Sequence, residues 1–383
     1  MMKKQKICII GGSLTGLVTA ISLSKLNFEI DLITGNFVNN SKSSRTITVS
    51  ENNFHFLNKL NISKLLKKEI WICSKMKLYT ESESGNFSEI FELNKEGKNE
   101  NIFYILENSK IMSLMLNKIK KIKSISLKKN KSVSSINNSG LLKSVKFNNN
   151  ISKYSLVIIC TGYNSSLVRN IFNDKMIENL YKEFAVTTII NHKPFRNNIA
   201  RQIFLDESIF AMLPISKTKT SIVWSLKNFM KEKNNSFLKK RIKIHASKYL
   251  KEIKFNSKIE KNDLNLLIRN KYYLNRTLLF GDALHSMHPF IGQGFNMTLR
   301  DLICLEKILE EKINLGLDIG SSDVLSEFSD VTKSRNFSFS IGSDILKNVL
   351  SFKKARNDIF KILNKSNLAK NIIFDVADKG LRF

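Results

Sequence analysis

The stretch Gly11-Gly12-Ser13-Leu14-Thr15-Gly16 restricts the folds open to this chain more than any other. It follows a short apolar run, Lys6 to Ile10, suited to a buried parallel strand. It opens a segment with helical periodicity, Leu17 to Leu26, which Asn27 is placed to end, and Ile30 to Ile33 reads as a second strand. In such a unit each small residue has a task. Gly11 permits the tight turn, a small Ser13 lets the backbone approach a pyrophosphate, and Gly16 lets helix and strand pack closely. The helix N-terminus then offers N–H donors and a favourable dipole to phosphates. Two positions depart from the usual pattern. Ser13 stands for a middle glycine, and Thr34 stands where an Asp or Glu at the tip of strand two would grip a ribose hydroxyl. Glycines alone also describe an ordinary turn; their strand and helix context favours a dinucleotide site.

A chain of 383 residues is comfortable for two domains. Its net charge of +29 raises the question of nucleic acid. The lysines are scattered among Asn, Ile and Ser along the whole chain and no nucleic-acid module appears, so no nucleic-acid partner is expected. Attraction to an anionic membrane surface is a better use of the charge. Cys8, Cys73, Cys160 and Cys304 form no CxxC pair, which fits a reducing compartment. Lys3, Lys4 and Lys6 before an apolar stretch imitate a secretory signal, but the glycines interrupt it. No run reaches the roughly 18 apolar residues that span a bilayer. A cytoplasmic protein, or one peripheral on the inner face of a membrane, is expected.

Farther along, residues 75–92 hold a strand-like piece and 109–122 a helix, and Tyr154 to Thr161 is a buried strand followed by Gly162. Phe184–Ile190, Ile209–Leu213 and Thr220–Ser225 alternate as an antiparallel sheet would, and 229–252 reads as a Lys-rich helix. After the strand Leu278–Phe280 comes Gly281-Asp282, and then His285-Ser286-Met287-His288-Pro289-Phe290-Ile291-Gly292-Gln293-Gly294-Phe295-Asn296, with Arg300-Asp301 beyond. Asp282 can accept hydrogen bonds from a polyol, and Gly292 and Gly294 bare N–H groups where a helix begins. His285-x-x-His288 lacks a third ligand nearby, so no metal site is expected.

Residues 281–301 resemble the ribityl-binding motif of class A FAD monooxygenases of the para-hydroxybenzoate hydroxylase type, and within them the ubiquinone-biosynthesis hydroxylases. Arg45 with Thr46-Ile47-Thr48-Val49-Ser50 is similar to the family's arginine segment. Phe210 to Pro214 with Ser221 to Trp224 is similar to its substrate-domain strands, and Arg335 with the tail 341–383 matches its C-terminal region. Cys160-Thr161-Gly162 through Arg169 resembles the middle motif, with Thr161 where that motif has Asp.

The resemblance implies an α/β fold with a glutathione-reductase-type, Rossmann-like FAD domain, an inserted β-rich substrate domain and a helical C-terminal tail. The expected division is 1–74, 98–178 and 265–340 for FAD, 75–97 and 179–264 for substrate, and 341–383 for the tail. It further implies FAD bound by Gly11, Gly12, Ser13, Gly16, Thr34, Arg45, Gly162, Asp282, Pro289, Gly292, Gln293, Gly294, Phe295 and Asn296. The implied reaction is hydroxylation of a lipophilic aromatic ring, a polyprenyl phenol of ubiquinone biosynthesis, with O2 through a flavin C4a-hydroperoxide. NAD(P)H is the implied electron donor, and a ferredoxin-type partner stays open. His192 and His288 are the candidates for the base that takes the phenol proton, on chemistry alone. In the tail, Ile341, Ile345 and Val349 share a helical face among Lys347, Lys353, Lys354 and Arg356, which suits either a membrane surface or the protein's own core. Two other readings stay open: a flavin oxidoreductase on another aromatic or prenyl substrate, and a non-catalytic lipid-binding or assembly subunit in a biosynthetic complex.

Overall fold

The computed structural model describes residues 4–35, 43–66, 68–94, 101–163, 165–172, 176–206, 208–288, 292–364 and 366–379. The first third of the chain gives β1 (Lys6–Ile10), α1 (Leu14–Leu23), β2 (Glu29–Ile33), β3 (Thr46–Ser50), α2 (Glu51–Lys59), β4 (Lys75–Glu81) and β5 (Phe87–Asn94). There follow α3 (Asn108–Ile119), β6 (Ile125–Lys128), β7 (Leu156–Ile159), β8 (Met176–Asn191), β9 (Ile199–Phe204), β10 (Ile209–Pro214) and β11 (Lys219–Lys227). The remainder gives α4 (Asn235–Ala246), β12 (Glu260–Arg269), β13 (Thr277–Leu279), β14 (His285–Ser286), α5 (Gly294–Asn314), α6 (Ser322–Ser351), α7 (Lys353–Asn364) and α8 (Asn367–Lys379).

β13, β7, β1, β2 and β6 lie side by side in that order, all parallel. Ile7, Cys8 and Ile9 of β1 have no exposed surface, as expected for a strand covered on both faces. Every residue of α1 is buried, and the helix packs against α3 and α5. Leu17, Val18, Ile21 and Leu23 contribute about 1.5–3 kcal/mol each through burial. One charge sits inside this layer: Asp31 on β2 pairs with Lys6 Nζ at 2.8 Å and accepts the Tyr154 hydroxyl at 2.7 Å.

The second sheet runs β14, β12, β8, β11, β10, β9, β4, β5, with Lys254–Phe255 paired to β8. Side chains alternate between its faces. Phe184, Val186, Phe210, Ile222 and Trp224 form one face, covered by Leu238, Ile242 and Ala246 of α4. Ala185, Thr187, Ala211, Val223 and Ser225 share the other, as the register Ala185↔Ser225, Thr187↔Val223 and Ala211↔Val223 requires.

Two expected elements differ in extent. The helix expected over 229–252 spans only Asn235–Ala246, because Asn234 caps it by accepting the Phe237 N–H at 2.8 Å. The tail does not begin a new element at 341, since α6 runs unbroken from Ser322 to Ser351. Its inner surface is not simply apolar: Lys347 and Leu350 are buried while Ile345 and Leu346 are exposed. An ion pair, described below, draws Lys347 inward.

Candidate cofactor and substrate site

The carboxyl ends of β1, β2, β7 and β13 deliver the candidate residues to one edge of the parallel sheet. The chain proceeds from β1 toward β2 and β6, then returns to β7 on the other side, so this edge is the switch point at which open α/β sheets bind ligands. Gly11 has φ +136°, and a Cβ there would lie 2.5 Å from the Cys160 carbonyl oxygen. A Cβ on Gly16 would lie 2.0 Å from the Gly11 carbonyl oxygen. The backbone is therefore drawn in so tightly that only glycine fits at either place. Ser13 precedes α1 in extended conformation without capping it, and no acidic residue lies in the first turn. The first N–H groups of α1 thus have no capping side chain, as an anion-binding helix start requires. Gly12 is half-buried and Ser13 exposed beside them. Gly162, just past β7, has open space where a Cβ would be. Thr34 differs: its side chain is buried, and its N–H donates to the Lys128 carbonyl at 3.0 Å.

Gly281-Asp282-Ala283 is a single 3-10 turn after β13, and Gly281 (φ +61°) packs on Thr15 of α1, where a Cβ would meet Cγ2 at 2.6 Å. The two glycine motifs thus touch. Asp282 is exposed, yet desolvation raises its carboxyl pKa, with His285 and Arg45 pulling the other way. A carboxylate that is both reachable and desolvated lies in a recess. The exposed Arg45 side chain is near enough to act on that charge. Gly292 (φ +65°) approaches Thr48 of β3, and Gly294 has open space beside it. Gln293 precedes α5 without capping it, and its buried Oε1 has no partner among the described residues. Phe295 is half-buried against the nucleotide-domain core. Pro289, with Phe290 and Ile291, lies outside the described residues.

Asn296 is turned inward. Its Nδ2 donates to the Thr48 carbonyl at 3.0 Å, and its Oδ1 accepts the Ser50 N–H and Asn53 Nδ2, both at 3.0 Å. It fastens the start of α5 to β3. Beneath it lies a group that sequence reasoning missed. Asp301, fully buried, meets His285 Nε2 and accepts Asn336 Nδ2, both at 2.8 Å, and Arg335 Nη2 at 2.9 Å. The signals were the Arg300-Asp301 pair and Arg335, which nothing in the sequence joined, because Arg335 and Asn336 arrive from α6. This knot backs the turn that carries Asp282.

The family model described as an FAD binding domain matches residues 4–316. The chain belongs to the FAD binding domain family. It is 24% identical, over 97% of its length and 90% of the relative, to the mitochondrial ubiquinone biosynthesis monooxygenase COQ6 of Dictyostelium discoideum. It is 28% identical to the ubiquinone hydroxylase UbiL of Rhodospirillum rubrum, over 45% of this chain and 41% of that one. Among solved structures, PqsL of P. aeruginosa in complex with 2-aminobenzoylacetate superposes with a TM-score of 0.79 at 13% identity, covering 94% of this chain and 100% of that one. HpxO of Klebsiella pneumoniae complexed with FAD and uric acid superposes at 0.77 and 13% identity, covering 98% of this chain and 96% of that one. These likenesses establish the FAD monooxygenase fold expected from the sequence. The paired glycine cradles, two uncapped helix starts and the recessed Asp282 fit FAD, which is the cofactor.

The second sheet turns its small-residue face toward the segment that carries Arg45. Ser44 Oγ and Thr187 Oγ1 lie 3.1 Å apart, and Thr46 Oγ1 donates to Ser221 Oγ at 3.1 Å, so the arginine segment is laced to one end of that face. Glu260 on β12 accepts the Ser44 N–H and fixes the same segment. Between, Val223 and Ala211 keep exposed surface although they lie in the middle of the sheet. The two histidine candidates have different settings. At the far end of β8, His192 has both nitrogens engaged, Nδ1 with the Lys193 carbonyl at 3.0 Å and Nε2 with Thr220 Oγ1 at 2.9 Å. His288, four positions before Gly292 in the chain, is buried, with Nε2 3.2 Å from Glu183 Oε2 of β8.

Proposed function

We propose that the protein is an FAD-dependent monooxygenase that hydroxylates the ring of a polyprenyl phenol in ubiquinone biosynthesis. One observation carries this reading: the segment that carries Arg45 is laced by Ser44–Thr187 and Thr46–Ser221 to a sheet face of small side chains, Ala185, Ala211, Val223 and Ser225, which suits a flat apolar ring. The similarity to relatives named as ubiquinone biosynthesis monooxygenase and ubiquinone hydroxylase supports the substrate class.

When bound and reduced, FAD supplies the activation of O2 that no side chain provides. The chain's own residues bind and orient. The N–H groups of α1, with Gly11, Gly12, Ser13 and Gly16, hold the pyrophosphate, and Gly162 leaves room beside it. Asp282 would accept the ribityl hydroxyls, and Arg45, near it, would contact the cofactor. The start of α5, at Gly292, Gln293, Gly294 and Phe295, is an uncapped positive helix end that would favour an anionic ring system held there. Asn296 positions that helix end, and Pro289 is proposed as a further cofactor contact. Thr34, buried and bonded to the Lys128 carbonyl, would support the adenosine end.

NAD(P)H is the proposed donor; the chain carries one glycine fingerprint, so the nicotinamide docks without a domain of its own. Among the described residues no helix is long and apolar enough to cross a membrane. In the tail, Phe352, Ile362 and Leu368 are 69%, 70% and 73% exposed, among Lys353, Lys354 and Lys361. That mixture supports peripheral contact with an anionic bilayer, where a polyprenyl substrate resides. The test is the visible spectrum of the purified protein and of the cofactor released by acid, then NAD(P)H-driven O2 uptake with 2-farnesylphenol. Stoichiometric FAD and a product heavier by one oxygen atom are expected; colourless protein that cannot be reconstituted overturns the reading.

A further inference from the structure

Glu183 is the hub of a polar cluster that joins three parts of the molecule. It lies on β8, on the same sheet face as Ala185 and Thr187, at the end opposite the Ser44–Thr187 lacing. Its Oε2 meets His288 Nε2 from the flavin loop at 3.2 Å and Lys347 Nζ from α6 at 2.9 Å. Lys227 Nζ of β11 stands 3.7 Å from Oε1. Tyr181, also on β8, turns its ring edge-on to His288 at 5.3 Å and lies under Lys347 Nζ at 4.2 Å. Asp344, one turn before Lys347 on α6, completes the charged groups around His288.

Burial alone would raise the Glu183 pKa, but hydrogen bonds from His288 and Lys347 hold it down at about 2. The carboxylate is therefore ionised at neutral pH and can only accept, so the His288 nitrogen facing it carries the hydrogen. Burial lowers the His288 pKa, with Lys347 adding to that and Glu183 opposing it, which keeps the imidazole neutral. In that tautomer Nδ1 is a bare acceptor. It is buried and finds no partner among the described residues.

We infer that His288 Nδ1 is the acceptor for the substrate's hydroxyl proton, and that Glu183, held by Lys347, is the residue that positions it. This rests on the hydroxylase reading above. In the step, the phenol O–H bond breaks, an Nδ1–H bond forms, and the electron pair stays on oxygen, which enriches the ring carbons ortho and para to it for attack. The resulting imidazolium is stabilised by the Glu183 carboxylate, the arrangement in which a carboxylate fixes a histidine's tautomer and raises its basicity. His192, with both nitrogens engaged, lacks a free acceptor.

Two measurements on the full-length FAD-loaded protein test this. The chain has five histidines, so ¹⁵N-histidine NMR can assign His288 by its loss in His288→Asn. The Nε2–H tautomer is expected at pH 7.5, and Glu183→Gln, whose amide can donate to Nε2, should move the hydrogen to Nδ1. In NAD(P)H-driven turnover of 2-farnesylphenol, His288→Asn should lower kcat/KM about 100-fold or more at pH 7. The deficit should shrink as pH nears the phenol's own pKa, about 10, because phenolate then arrives already ionised. Lys347→Met should show a smaller deficit with the same pH trend, and Lys347→Arg should restore activity. A wild type that holds the Nε2–H tautomer but hydroxylates no phenol refutes the hydroxylase reading. A hydroxylating wild type with the Nδ1–H tautomer, or a His288→Asn deficit equal at every pH, refutes the base assignment alone.

Discussion

Asp282 and Asp301 belong to one sequence motif, and the structure gives them opposite surroundings. Asp301 is fully buried amid His285, Arg335 and Asn336. Asp282 lies in the recess, reachable from solvent, with its charge disfavoured by desolvation. A carboxylate whose hydrogen-bonding capacity is met inside the protein is architecture. One held at a cost and left reachable is built for a ligand whose hydroxyls complete it. The lower carboxylate braces the turn on which the upper one is displayed.

Asp301→Asn should cause the largest loss. It leaves the Arg335 guanidinium beside a neutral amide that opposes the Asn336 donor, and breaking a buried pair of this kind costs about 3–5 kcal/mol. A denaturation midpoint well below wild type is expected, and a midpoint within a degree would show that the knot is dispensable.

Glycine substitutions extend the comparison to the nucleotide loop. Gly16→Ala forces a Cβ against the Gly11 carbonyl oxygen and should abolish FAD retention, with a loss of about 1–3 kcal/mol in stability. Gly162→Ala, where a Cβ meets open space, should leave the fold's stability unchanged and report only on cofactor contact. Fluorescence titration of released and rebound FAD separates the two.

Asp282→Asn should weaken FAD binding by about tenfold to a hundredfold, the value of hydrogen bonds to a charged acceptor, without lowering apoprotein stability. The pH trend has a definite sign. The folded-state pKa of Asp282 is raised, so its contribution to apoprotein stability is greatest below the usual carboxylate pKa and is lost as pH rises through the raised value. The Asn variant should flatten that fall. A variant less stable than wild type at neutral pH would place Asp282 with Asp301, as architecture.

The smallest effect is expected at His192. His192→Gln removes partners from Thr220 and the Lys193 carbonyl and should cost about 1 kcal/mol, with kcat/KM within about twofold of wild type. A loss of about a hundredfold there would move the proton acceptor to the other end of β8.

Sequence pattern and structure meet where the determinants are local. The β1–α1–β2 unit, the placement of Gly11 and Gly16, and the strands within 184–225 follow from apolar periodicity and from backbone positions only glycine fills. The family fold followed from motif resemblance over residues 281–301. By contrast, Asn296 and Asp282 read alike in one dimension, as polar residues beside glycines, yet one fastens β3 to α5 and the other faces the recess. The tail's apolar spacing suited either a membrane surface or the core, and the structure buries Lys347 while Ile345 stays exposed. Nothing within a few residues of Lys347 announces Glu183, which is 164 positions earlier on a strand of the second sheet.

By itself, then, the sequence determined the dinucleotide unit, because a tight turn, a close backbone approach and a buried parallel strand each demand particular residue types within a few positions. Only the tertiary structure decided which carboxylate is displayed, which histidine keeps a free nitrogen and which lysine is buried. Those properties depend on desolvation and on partners from distant segments, which short-range pattern does not encode.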